Sequence, residues 1–391
     1  MKKRICIFTG SRAEYGLLRP LICALKEEGS FDIRLLVSGM HLQKEHGLTH
    51  REITGDGIAI DALVRILHKD NSSNGVARAV GTGIIKFTKI LNQWKPDIAI
   101  VLGDRFEALA MSISAMLARV PIAHLHGGEA TYGAMDEAIR HAITKMSHLH
   151  FTSTKEYRSR VIQLGEDPKR VFNVGALGID NIRQLKLLTR EELQRKMGCS
   201  LKEKNLLITF HPVTLHPGRS KGQFRILLKE LDGLKNTRLI FTKANADMEG
   251  EEINRLIKKY VEAHKDKAVV FASMGQVAYL SAMKYTDAVV GNSSSGIIEA
   301  PSFKIGTVNI GDRQAGRVRA ASVIDCAPAP AGIKRALKCL YSAKFQKKLR
   351  AVANPYGPGG ASERIVNILK RRQWSGLLTK EFFDIETARK R

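Results

Sequence analysis

Short runs of consecutive apolar residues alternate, along the whole chain, with longer stretches whose apolar positions recur at helical spacing. A continuous apolar run reads as a strand buried on both faces, because neither side of its pleat meets water. Such runs fall at 4–8 (RICIF), 32–38 (DIRLLVS), 97–102 (DIAIVL), 121–125 (PIAHL), 149–152 and 171–174. A second series follows at 205–210 (NLLITF), 237–242 (TRLIFT), 268–271, 287–290 (DAVV) and 305–309 (IGTVN). The stretches between them predict helices over 16–28, 75–94, 105–118, 135–146, 219–234, 249–264, 276–284, 295–302 and 361–371. Alternation of this kind builds parallel sheets covered by helices on both sides. The pattern restarts near residue 205, after a basic, helix-like segment over 176–204 that would serve as a linker. The fold class expected is α/β, with two doubly wound domains and a cleft between them.

Composition narrows the partners. The length of 391 residues suits two domains. No apolar run approaches the ~20 residues that span a bilayer. The basic, then apolar start "MKKRICIF" is too short for a signal peptide and reads as a first buried strand. We expect a cytoplasmic protein with no membrane partner. The five cysteines are scattered without a CxxC pair, which argues against a disulfide framework or a thiolate zinc site. Lys and Arg number 63 against 38 acids, a net charge of +25. That excess raises nucleic acid, an anionic membrane surface or a polyanionic small substrate. It is spread along the chain, and no helix-turn-helix, RRM, KH or zinc-finger pattern accompanies it. A basic surface around an anion-binding cleft is the more economical reading, and no nucleic-acid partner is expected.

In doubly wound sheets, ligands bind beyond the carboxyl ends of the strands. The first strand runs into "TGSRAEYG", where Gly10 permits a tight turn, a helix N-terminus offers free N–H groups, and Arg12 adds a fork suited to phosphate. The third ends in "VLGDRFEAL", presenting Asp104 beside Arg105; a plain helix cap by Asp104 is the competing reading. The fourth ends in "HLHGGEATYGAMDEAIRH", with Glu129 after a Gly-Gly turn and Asp136 opening the next helix. This loop could be a metal site, a set of acid–base carboxylates, or a solvated turn. His124 and His126 share a strand face, and Glu137 and His141 lie one helical turn apart, but HExxH is absent and no metal is expected. Asp104, Glu129 and Asp136 arriving at adjacent strand ends suit acid–base work, since converging carboxylates push each other's pKa values apart.

The second half carries different chemistry. His211 ends one strand and Asn245 the next. In "VVGNSSSGIIEAPSF", Asn292, Ser293, Ser294 and Gly296 make a small-residue loop with hydroxyls and N–H groups for an anion, and Glu299 follows one turn later, suited to sugar hydroxyls. "VNIGDRQAGRVR" adds Arg313, Arg317 and Arg319. Together the halves read as a nucleoside-diphosphate site facing a carboxylate-lined pocket.

With these stretches together, the chain resembles the UDP-N-acetylglucosamine 2-epimerase family, and within it the hydrolysing branch of bacterial sialic acid and legionaminic acid biosynthesis. The resemblance rests on "TGSRAEYG", "SGMHL", "VLGDRFEAL", "HLHGGEATYGAMDEAIRHAITKMSHLH", "QLGED", "FHPVT", "GNSSSGIIE", "NIGDRQAGR" and "NPYGPGGASERI". It implies a GT-B type fold of two Rossmann-like domains. Their expected bounds are 1–180, carrying the catalytic carboxylates, and 181–360, binding UDP, with a helix and basic tail over 361–391 packing back on the first. It implies catalysis by Asp104, Glu129 and Asp136, with Asp104 or Glu129 favoured as the base at C2. His211, Ser293 and Ser294 would contact the diphosphate and Glu299 the ribose. Asn245 and Arg313 would lie on the nucleotide side, while Arg12 and Arg105 reach phosphates or sugar. The implied reaction is anti elimination of UDP to a 2-acetamidoglucal, followed by addition of water, with no cofactor. The expected substrate is UDP-GlcNAc, with UDP-N,N'-diacetylbacillosamine the alternative and a GT-B glycosyltransferase more distant. A homo-oligomer, dimer or tetramer, is expected.

Overall fold

The computed structural model describes residues 2–68, 70, 72–132, 135–212, 218–244 and 248–385. The chain divides into two compact units. One comprises Met1–Glu129, Met135–Asn181 and Gly359–Arg391, the other Ala130–Ala134 and Ile182–Pro358.

The first unit begins with β1 (Lys3–Thr9), α1 (Arg12–Glu28), β2 (Phe31–Ser38), α2 (His50–Gly55), β3 (Ala62–Val64) and α3 (Ser73–Trp94). It continues through β4 (Ile98–Leu102), α4 (Phe106–Leu117), β5 (Ile122–Leu125), α5 (Met135–Met146), β6 (Leu149–Thr152), α6 (Lys155–Gln163) and β7 (Val171–Asn173). Then α7 (Leu177–Gln184) leads into the second unit. There α8 (Arg190–Met197), β8 (Lys204–Thr209), α9 (Ser220–Asp232), β9 (Thr237–Thr242), α10 (Met248–Ala263) and β10 (Ala268–Phe271) come first. After them come α11 (Gly275–Lys284), β11 (Ala288–Gly291), α12 (Ser294–Ile298), β12 (Gly306–Ile310), β13 (Val323–Cys326), α13 (Pro330–Leu340) and α14 (Ala343–Arg350). The last helix, α15 (Ala361–Arg371), returns to the first unit.

The first sheet has the order β3-β2-β1-β4-β5-β6-β7 and the second β10-β9-β8-β11-β12-β13. Every described pairing is parallel. Each order reverses once, between β1 and β4 and between β8 and β11. The apolar runs explain the layering. In β1, Ile5 and Ile7 face one buried cluster while Cys6 and Phe8 face another. In the second sheet, Leu206 and Ile208 face one cluster and Leu207 the other. Both faces of each sheet are therefore dry.

Local chemistry sets several element ends. The first helix starts at Arg12, ahead of the expected residue 16, because Ser11 accepts from the Glu14 N–H at 3.3 Å and caps it. The helix expected over 295–302 breaks into α12 and a 3₁₀ turn over Ala300–Phe303, since Pro301 has no N–H to continue it. Strands β3 and β13 and helices α2, α6, α13 and α14 go beyond the elements the pattern delimits. The segment 176–204 contains α7 and α8. The N-terminus of α15 is capped from far along the chain: buried Asp180 accepts N–H bonds from Gly360, Ala361 and Ser362 at 2.6, 2.9 and 2.7 Å. Three otherwise orphaned donors and the positive end of the helix dipole meet one carboxylate. Ile365, Val366 and Leu369 then pack with Leu18, Leu21 and Leu25 of α1.

Candidate active site

In the first unit, the strand ends on either side of the order reversal carry the acidic groups. Gly10, which follows β1, lies outside the left-handed region. Its role is close approach rather than a tight turn: a Cβ there would press on the Glu107 Cβ at 3.3 Å. Gly10 N–H donates to Glu14 Oε2 at 2.6 Å. Burial first, and the nearby Glu107 carboxylate second, raise Glu14 to about 7.

Asp104 follows Gly103 at the end of β4. It does not cap α4; the cap position is Arg105, with no side-chain bond. Arg105 instead grips buried Glu107 with Nε and Nη2, each bond 3.1 Å. Two parallel bonds of this kind fix a guanidinium plane. Asp104 is held by Arg140, a residue 1 % exposed on the inner face of α5. The same guanidinium donates to Glu137 Oε2 and to the Glu129 carbonyl, both at 2.7 Å. Burial disfavours its charge, and Asp104 and Glu129 outweigh that cost.

Glu129 is buried, 4 % exposed. Ser153 Oγ, just past β6, donates to its Oε1 at 2.8 Å. His126 Nδ1 stands 3.2 Å from the same oxygen. The Leu177 N–H donates to His126 Nε2 at 3.4 Å, so the ring proton sits on Nδ1 and points at Glu129. Gly128 makes the turn with φ +76, and a Cβ there would run into the Tyr157 carbonyl. Asp136, in the first turn of α5, has its carboxyl raised by burial and then by Asp104. Asp104, Glu129 and Asp136 are thus joined through Arg140 and its surroundings.

The other histidines of the loop are accounted for by packing. His124 bridges the Gly103 carbonyl at 2.8 Å and Thr144 Oγ1 at 3.2 Å, and burial pushes it down to about 3. His141 makes a local contact with Glu137 at 3.3 Å, and His148 accepts from the Ile122 N–H at 3.1 Å. Among the described residues, no cluster of His, Cys, Asp and Glu could hold a metal ion. Arg12 is exposed at the start of α1 and meets Glu52 at 3.9 Å.

In the second unit, β8 and β11 flank the order reversal, and their ends are zipped by one side chain. Asn292 accepts from the His211 N–H at 2.7 Å and donates to the His211 carbonyl at 2.8 Å. The Asn292 carbonyl accepts from Arg313 at 2.9 Å and from Gln314 at 2.8 Å. Burial, then the Arg313 charge, push His211 down to about 3, and its Nδ1 is buried with no partner among the described residues. Ser293 caps α12 by accepting from the Ser295 N–H at 3.4 Å; Ser294 opens that helix and Glu299 closes it. Tyr279 of α11 reaches Ser295, Thr209 and Ser293, and burial raises its hydroxyl. Arg319 pairs with Asp325 at 2.8 Å, so its charge is spent within the fold. Asn245 lies outside the described residues.

Sequence reasoning singles out the carboxylates but misses Arg140 and Ser153, which hold Glu129 and Asp104, Glu107, which holds Arg105, and, in the second unit, Tyr279 beside the serines and Gln314 on the Asn292 carbonyl. Only Arg140 left a trace, in its i, i+3 spacing from Glu137.

Residues 23–370 match the family described as UDP-N-acetylglucosamine 2-epimerase. The chain belongs to that family. It is 39 % identical, over 98 % of this chain and all of the relative, to the Campylobacter jejuni GDP/UDP-N,N'-diacetylbacillosamine 2-epimerase (hydrolyzing). It is 40 % identical, over 94 % of each chain, to the Escherichia coli polysialic acid biosynthesis protein P7. The crystal structure of the Neisseria meningitidis UDP-GlcNAc 2-epimerase bound to UDP-GlcNAc matches the fold with a TM-score of 0.82 at 19 % identity, covering 95 % of this chain and all of that one. By its family the chain is an enzyme acting on a UDP-sugar, with the two parallel-sheet units of a GT-B type fold. No helix among the described residues is long and apolar enough to cross a membrane.

Proposed function

We propose that the chain is a hydrolysing 2-epimerase that converts UDP-GlcNAc and water to ManNAc and UDP. The observation that carries this reading is the cluster of Asp104, Glu129 and Asp136 around buried Arg140. A transferase has little use for so many carboxylates at one place. The first step removes the proton at C2 and expels UDP from C1, leaving a 2-acetamidoglucal. The second adds hydroxide at C1 and a proton at C2 on the opposite face.

The C2 proton is weakly acidic and needs a fixed carboxylate base. Glu129 is oriented by His126 and Ser153, and Asp104 by Arg140; either suits that task. Asp136, with its raised carboxyl, suits the acid of the second step. The leaving diphosphate needs N–H groups and cations. We assign His211, Ser293, Ser294 and Arg313 to the diphosphate, Glu299 to the ribose, Asn245 to the nucleotide side, and Arg12 and Arg105 to phosphates or sugar. No cofactor enters either step. The product suits sialic acid-type synthesis in the cytoplasm by a homo-oligomer.

A second reading takes UDP-N,N'-diacetylbacillosamine as substrate. The name of the Campylobacter relative supports it. Proton NMR in D2O tests both. UDP-GlcNAc should give UDP and free ManNAc deuterated at C2. Product from the bacillosamine nucleotide alone selects the second reading. Transfer that requires an added acceptor, or intact substrate throughout, overturns both.

A further inference from the structure

Residues 371–391 lie beyond the matched family region, and the proposed chemistry does not use their charges. Among the described residues after α15, up to 385, there is no helix or strand, yet this stretch is tied down at many points. Trp374 stacks on Phe31 with centroids 6.1 Å apart and donates to the Leu369 carbonyl at 3.1 Å. Leu377 enters the first unit's core. Arg170 donates to the carbonyls of Leu377 and Thr379 at 3.1 and 2.8 Å. Phe383 N–H donates to the Gly165 carbonyl at 2.9 Å. The Phe382 ring lies where a side chain at residue 165 would project, so only glycine, here with φ +86, leaves room for it.

The focus of this path is Lys380. Its ammonium donates to the carbonyls of Lys145 and Ser147 at 2.6 and 2.8 Å, and to Glu166 at 2.9 Å. Lys145 is in the last turn of α5 and Ser147 just follows it. Helix carbonyls there lack partners and form the negative end of the dipole, so a cation fits them. Glu166, 1 % exposed, also takes Lys145 at 2.7 Å and His150 at 2.9 Å. Burial opposes its charge, but these three donors hold its carboxyl down at about 2. The anchor is therefore built on an ionised Glu166 with three donors, while His150 Nδ1, on the far side of its ring, has no partner among the described residues. At its other end α5 carries Asp136 and Glu137, with Arg140 one turn further along.

We propose that residues 374–385 form a strap that fixes the C-terminal end of α5 and so aims the carboxylate cluster, with Lys380 as the positioning residue. A helix is stiff, so freeing one end tilts the other. This inference rests on the reading that the cluster is catalytic.

The experiment compares wild type with Lys380→Ala, Lys380→Arg and Phe382→Ala. Lys370→Ala, which removes only the 2.6 Å pair to Glu28, is the control. Lys380→Ala should lower kcat about ten-fold, as small misplacements of catalytic groups do. KM should stay within about two-fold, since ground-state binding is untouched. UDP affinity should be unchanged by calorimetry, Lys380→Arg should restore most of kcat, and Lys370→Ala should match wild type. Phe382 is largely exposed, so Phe382→Ala gives a folded variant with a loosened strap and a smaller fall in kcat. Hydrogen exchange of the α5 amides is read in parallel and should quicken in Lys380→Ala and Phe382→Ala. Wild-type kcat with unchanged α5 exchange in these two variants overturns the strap. A wild-type protein that turns over no nucleotide sugar sinks the functional reading instead, and α5 exchange still decides the strap.

Discussion

Arg140 holds the Asp104 carboxylate from inside the fold, where its own side chain is almost sealed from water. Asp104, by contrast, keeps part of its surface open. The arrangement gives an acid that is oriented from behind and reachable from in front.

Removing that support should be costly. Arg140→Met leaves Asp104 and Glu137 without their shared cation and the Glu129 carbonyl without its donor. Breaking a buried pair from one side costs about 3 kcal/mol or more. Thermal melts should fall accordingly, and turnover should drop by about a hundred-fold even at temperatures where the variant is folded.

The carboxylates and the nucleotide contacts should separate by mutation. Asp104→Asn and Glu129→Gln should abolish product formation while UDP still binds in calorimetry. Loss of UDP binding in either variant would overturn the division of roles between the units.

Asn292→Ala tests the second unit. It removes both bonds that tie the ends of β8 and β11, each worth roughly 1 kcal/mol. His211 and Arg313 then lose their fixed spacing. UDP affinity should fall roughly ten-fold, with kcat at saturating substrate less affected.

Glu14 gives a pH signature. Burial, then Glu107, raise it from 4.5 to about 7, so the fold favours the neutral acid. Its contribution is complete below pH 4.5 and is lost as pH rises toward 7. Glu14→Gln keeps an uncharged acceptor for the Gly10 N–H. Unfolding free energies from urea curves of the wild type should therefore fall relative to Glu14→Gln between pH 4.5 and about 7, by roughly 3 kcal/mol at full ionisation. Parallel curves for the two proteins would count against a neutral Glu14.

Both sheets were legible because nearly every central strand is a continuous apolar run, a pattern that a buried parallel strand requires and little else produces. The edge strand β13 was not: "VIDC" is short and half exposed, so burial imposes no pattern on it. The acidic site was legible as residues but not as geometry. Asp104 read equally well as a helix cap, and only the backbone shows Arg105 at that position. Arg140 sits in "DEAIRHAITK" like a solvated charge. Its burial comes with the bonds it makes to Asp104 and to the Glu129 carbonyl, a tertiary fact with no local signal. The same holds for His126, whose ring proton is placed by a backbone N–H 51 positions away.

The first unit is assembled from both ends of the chain, and this sets an order of events during synthesis. Residues 182–358 emerge before 359–391, so the second unit can complete its sheet while the first lacks α15 and the strap. Through that interval, Leu18, Leu21 and Leu25 have no Ile365 or Leu369 to cover them. A nascent chain halted before Asp180 finds its three partners at 360–362 pairs a finished half with an unfinished one. Its bare apolar face is the surface on which chaperone binding and aggregation compete.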